Sequence, residues 1–134
     1  MSEQPRYGKG DATYKAAGEY PGILKLVQRF YYYMDSLPEA AGIRALHAPD
    51  LSVSEDKLAR FLCGWTGGPT LYREKYGPIR IPAAHKHLPI GTVERDAWLL
   101  CMERALQDQD YPQDLKDYLL KQLEVPAEFC RNRD

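Results

Sequence analysis

The sequence predicts an all-α fold. Three features predict it. Apolar residues recur at spacings of three and four in several separate stretches, and no stretch alternates apolar and polar residues as a strand or hairpin would. Glycine and proline punctuate the chain between the stretches. With 134 residues, 44% hydrophobic and 28% charged, the chain has the size and composition to bury a core without disulfide staples. No internal repeat or linker interrupts it, so residues 1–134 read as one domain, with an arm and a short first helix in residues 1–20.

The first helix is expected around Asp11–Ala17, stopped by Gly18, and Pro21 and Gly22 open the second element. From Ile23 onward, Leu24, Val27, Tyr31 and Met34 step by three and four with Phe30 beside them, which makes an amphipathic helix ending near Ser36. Pro38 begins a short turn running to about Leu46, and His47–Asp50 reads as a loop. Ser52 and Glu55 fit a capping box, followed by a stripe of Leu58, Phe61, Leu62 and Trp65 that Gly67-Gly68-Pro69 terminates. One or two helical turns fit residues 70–76. Pro78, Pro82 and Pro89 exclude a long regular helix between Gly77 and Pro89, because each proline removes a donor and restricts its predecessor. Thr92 is placed as the cap of a helix from Val93 to about Gln107. A last helix starts near Pro112, carries Leu115, Tyr118, Leu119 and Leu123, and is expected to stop at Pro126.

Net charge is −1 and no dense Lys/Arg stripe exists, which disfavours nucleic-acid and membrane-surface partners. Met1–Lys15 has no apolar run of the secretory kind, and no run of 18 apolar residues spans a membrane. Cys63, Cys101 and Cys130 are odd in number and widely spaced, without the Cys-x-x-Cys-His string that attaches a prosthetic group covalently. Free thiols in a reducing cytoplasm are expected. None of His47, His85 and His87 has the spacing of a His-Glu-x-x-His metal helix, and no nucleophilic triad is legible. Taken alone, His85 in Ala83-Ala84-His85-Lys86-His87 is a solvated loop residue, Trp98 a packing residue, and Tyr31 an amphipathic side chain at a core edge.

Several segments together resemble the group II truncated haemoglobins. They are Arg29-Phe30-Tyr31, then Phe61-Leu62 with Gly67-Gly68-Pro69 and Leu71-Tyr72, then His85 thirteen residues before Trp98, and Glu94-Arg95-Asp96-Ala97-Trp98-Leu99-x-Cys101-Met102. The likeness covers about residues 12–106. It implies a two-over-two helical sandwich around a non-covalent haem b, with His85 as the iron ligand and His87 as runner-up. The resemblance also puts Tyr31 and Trp98 on the distal side as hydrogen-bond donors, with Ser54 and Leu58 at the gate and pocket wall. His47, or alternatively Leu46, matches the loop position often aromatic in the family. Phe61 and Tyr72 would line the haem. Ala17-Gly18 stands where the family often has Gly-Gly, and Gly77-Pro78-Ile79 where many have Gly-His-Pro. Pro82 and Ala84 occupy positions where arginines commonly meet the propionates, leaving Arg80, Lys86 or Tyr72 as substitutes.

The resemblance implies reversible binding of dioxygen or another diatomic gas, such as carbon monoxide or nitric oxide. The alternative is a haem redox enzyme, a nitric oxide dioxygenase or peroxidase-like protein, which would need an external reductase because the chain has no room for a flavin or nicotinamide domain. A dedicated enzyme is the less favoured of the two. Either fits a monomer or a homodimer. A helical adaptor without haem is the third alternative, and it would be colourless.

Overall fold

Gly18 separates a short helix, α1 (Ala12–Ala16), from the long α2 (Glu19–Ser36), and it does so in the left-handed region at φ 89°. The computed structural model describes residues 7–78 and 88–132. Helix α2 starts two residues ahead of Pro21. Proline is tolerated there because the first-turn amides have no intrahelical acceptor anyway. Its buried face is Ile23, Leu26, Val27, Phe30, Tyr31 and Met34, so Leu26 joins the expected stripe, whereas Leu24 is only partly covered.

A 3-10 turn (Pro38–Ala40) and the one-turn α3 (Ala41–Arg44) lead to the loop bearing His47. Helix α4 (Ser52–Trp65) follows, but Ser52 is not its cap. Leu51 holds that position, and no side chain completes a capping box. Instead the Asp50 carboxylate accepts the Ser52 N–H at 2.9 Å, which lowers the Asp50 pKa. An ionised carboxylate two residues ahead is a stronger acceptor than a serine hydroxyl, so it displaces the expected arrangement. At the other end, the Gly68 N–H bonds the Cys63 carbonyl at 2.8 Å while Gly67 sits at φ 94°, a Schellman stop. A Cβ on Gly67 would overlap the Gly10 carbonyl oxygen, so glycine is required there for close approach as well as for φ.

Helix α5 (Leu71–Tyr76) carries the chain to residue 78. Asp56 on α4 anchors it, taking Lys75 at 2.8 Å and the Tyr76 hydroxyl at 2.5 Å. The next helix, α6 (Thr92–Gln107), begins at Thr92 itself, with Gly91 rather than Thr92 in the cap position. There the Glu94 carboxylate accepts the Gly91 N–H at 2.7 Å.

The last helix, α7 (Gln113–Cys130), does not stop at Pro126 but runs through it. Losing one amide donor is offset by the turn beyond, where Ala127 is buried and Glu128 pairs with Arg95 at 2.5 Å and Arg131 at 2.7 Å. Helix α2 packs on both α4 and α6, and α6 packs on α7. This is the two-over-two sandwich, and among the described residues no strand occurs. Phe30, Ile23, Met34, Met102, Leu106 and Leu115 are fully buried at its centre. No helix of the described residues is long and apolar enough to cross a membrane.

Candidate functional site

The sandwich leaves a cavity of about 400 Å³ between the end of α2, the α4 face and the α6–α7 pair. That lies within the usual range for sites that enclose a small organic molecule. Its walls are largely apolar, with Ile43, Leu46, Leu58, Phe61, Leu62, Ile90, Leu123 and Ala127 among them. Leu58 and Phe61 belong to the expected α4 stripe, yet they keep partial exposure where the core members Ala59 and Leu62 do not. They pack against the core on one side and line the cavity on the other.

Polar groups are few and gathered. Tyr31, His47, Ser54, Tyr72 and Trp98 all line the cavity, so seven of the residues singled out in the sequence meet in one place once Leu58 and Phe61 are added. Arg80 and His85, together with the runner-up His87 and the substitute Lys86, lie outside the described residues. Leu88, three positions after His85, lines the cavity.

Tyr31 is buried, its ring set edge-on to Phe30 at 4.9 Å and to His47 at 5.9 Å. Burial, and secondarily the charge of Glu55, pushes its phenol pKa well above the ordinary tyrosine value. The hydroxyl therefore keeps its proton at any neutral pH. It donates to the Ser54 carbonyl at 3.4 Å, long for a hydroxyl donor and so weak. Phe30 also braces Trp98, ring centroids 5.1 Å apart.

His47 is held differently. Its Nδ1 lies 2.9 Å from the Ile43 carbonyl oxygen, which can only accept, so Nδ1 carries the hydrogen. In the neutral ring Nε2 is then an acceptor.

Charged residues edge the cavity: Lys57, Glu94 and Arg95. The Lys57 ammonium lies 5.3 Å from the Tyr76 ring centroid, and Arg95 is engaged by Asp96 and Glu128. Nothing in the residue pattern marks Lys57 as a wall residue. Ala127 and Cys130 were hidden by the expectation that Pro126 ends the helix, although the spacing of three and four from Leu123 carries on through it. Burial raises the Cys130 thiol pKa to about 11, which keeps it protonated. Among the described residues no three His, Cys, Asp or Glu side chains converge as a metal site.

The sequence model of the bacterial-like globins matches residues 12–132. The curated group 2 truncated haemoglobin YjbI of Bacillus subtilis is 32% identical over 123 residues, spanning 92% of this chain and 90% of that protein. This chain is a group II truncated haemoglobin.

Among solved structures, the group II 2-on-2 haemoglobin of Agrobacterium tumefaciens superposes on this globin with a TM-score of 0.87 at 38% identity, covering 100% of both chains. The truncated oxygen-avid haemoglobin of Bacillus subtilis gives a TM-score of 0.81 at 31% identity, covering 90% of this chain and 98% of its own. Family membership carries haem-based binding of a diatomic ligand with it. The cavity of this globin suits such a group. A flat apolar macrocycle matches the leucine, isoleucine and phenylalanine walls, and its acidic edge matches Lys57.

Proposed function

We propose that the chain holds haem b non-covalently, through His85, and reversibly binds dioxygen or a related diatomic, with Tyr31 and Trp98 as hydrogen-bond donors. The observation that carries this reading is the buried, proton-retaining phenol of Tyr31 facing the same cavity as Trp98. The haem would supply an iron centre able to bind a diatomic ligand. The chain's own residues do the rest. The apolar walls exclude water, and the weakly engaged Tyr31 hydroxyl is available to swing from the Ser54 carbonyl to a ligand. The Trp98 ring packs edge-on against Phe30 at the same cavity, which holds its indole there. Each donor stabilises negative charge on a bound ligand and so slows its release. The oxygen-avid relative from Bacillus subtilis supports dioxygen as the ligand.

Lys57 is the described cation on this wall for the propionates, with Tyr72 beside it, since Asp96 and Glu128 engage Arg95. That leaves Arg80 as one candidate among several. We read residues 1–134 as one such domain, working in the cytoplasm, where Cys63, Cys101 and Cys130 stay thiols.

Absorption spectra of the ferric, ferrous and carbonyl forms test the reading, repeated for His85→Ala and His87→Ala. The wild type should show a Soret band, and His85→Ala alone should lose the signature of histidine ligation. A colourless wild type refutes the proposal, and retention of the signature in His85→Ala transfers the ligand role to His87.

A further inference from the structure

His47 lines two spaces at once. One is the cavity just described. The other is an open surface groove of about 450 Å³ walled by Met34, Leu37, Pro38, Ala41 and Ala45. The residue therefore belongs to the walls of both, and its imidazole lies on the cavity side, 5.9 Å from the Tyr31 ring. The ring is tied backward through Nδ1 to the Ile43 carbonyl at 2.9 Å, and the residue's backbone N–H bonds the Arg44 carbonyl at 3.0 Å. The forward side of the loop is tied by the Arg44 side chain. Arg44 Nη1 donates to the Ala48 carbonyl at 3.0 Å and Nη2 to the Pro49 carbonyl at 2.9 Å, while Nε holds Asp35 at 2.9 Å. One planar guanidinium thus joins the last turn of α2 to both residues that follow His47. A lysine, with one compact ammonium, cannot span three acceptors set out this way.

We propose that Arg44 is a positioning residue that latches His47 as a partition between the groove and the cavity, and so sets how fast a small ligand passes on the loop side. The inference rests on the gas-binding reading for its ligand, but the latch itself is a property of the chain. A partition acts on entry and exit alike, because it changes a barrier and not the bound state. A lost hydrogen bond to the ligand acts on exit alone. The two are separable by measurement.

The test is carbon monoxide association and dissociation by flash photolysis and stopped flow on haem-loaded wild type, Arg44→Gln, His47→Ala and the double variant. Imidazole nitrogen NMR of the ferrous carbonyl form reports the His47 tautomer in parallel. Arg44→Gln should raise both rate constants by a similar factor, roughly two- to tenfold for loss of bonds of this kind, with little change in Kd. It should add almost nothing in the His47→Ala background, since residues acting through one another are not additive. In the NMR spectrum Arg44→Gln should turn the single Nδ1–H signal of His47 into a tautomer mixture. Equal factors in both backgrounds, or a changed dissociation rate with association untouched, overturn the proposal. A wild type that takes up no haem sinks the gas-binding reading instead. The same NMR comparison on the haem-free chain then decides the latch, and an unaltered His47 signal in Arg44→Gln overturns it.

Discussion

Replacing Tyr31 by phenylalanine removes one oxygen atom and leaves the packing in place. The ring contacts with Phe30 and His47 involve carbon edges that phenylalanine reproduces. The hydroxyl's hydrogen bond goes to the Ser54 carbonyl, at a weak 3.4 Å, and that carbonyl lies inside α4 where the helix ladder also uses it. Stability should therefore change by less than about 1 kcal/mol. Ligand release should change far more. A hydrogen bond to a ligand carrying partial negative charge contributes roughly 1.5–3 kcal/mol, and the phenol surrenders little to form it. At about 1.4 kcal/mol per factor of ten, dioxygen should leave roughly ten- to a hundredfold faster. Stopped-flow displacement of dioxygen by carbon monoxide measures the rate, and urea denaturation of the same sample checks the stability. A release rate within about twofold of wild type would refute the reasoning, because it would mean that Tyr31 does not reach the ligand.

Gly67→Ala should destabilise the fold by roughly 2–4 kcal/mol in urea denaturation. The new Cβ meets both a left-handed backbone and the Gly10 carbonyl, which are separate penalties of overpacking and strain. Asp56 is held far below the usual carboxylate range, first by Lys75, then by Tyr76 and Arg60. A carboxyl depressed on folding contributes stability above its unfolded value near 4 and loses it as pH falls from there toward the folded value. Denaturation profiles should therefore fall more steeply below about pH 4 in wild type than in Asp56→Asn, and parallel profiles would contradict this. Asn132→Ala removes two side-chain bonds, from Nδ2 to the Leu88 carbonyl at 2.7 Å and from the Ile90 N–H to Oδ1 at 3.0 Å. It should cost about 1–2 kcal/mol and speed amide exchange at Ile90, which is 7% exposed.

How much of this was legible in the sequence follows from which forces are local. The α2 and α4 stripes were readable because a helix buries one face at a fixed period, and Phe30, Tyr31 and Leu62 keep it. The gathering of Tyr31, Ser54, Leu58, Phe61 and Trp98 was not readable from periodicity, since they sit on three helices. It came through resemblance alone. Helix ends were misplaced wherever a neighbour two or three residues away supplied the decisive acceptor, as Asp50 does for Ser52 and Glu94 for Gly91.

Pro126 is the instructive miss. Its propensity is strongly against a helix interior, yet α7 continues because the extra turn is worth more in tertiary contacts than the lost bond takes away. Ala127 and Cys130 reach the cavity wall, Glu128 reaches Arg95, and Asn132 reaches Leu88 and Ile90. All of those partners are distant in sequence, between 33 and 44 positions from the residues they meet where hydrogen bonds are made. A rule that weighs only neighbours along the chain has no access to them. The turn past Pro126 therefore closes one side of the site and fastens the backbone at Leu88–Ile90, which links a helix-breaking residue directly to the shape of the ligand cavity.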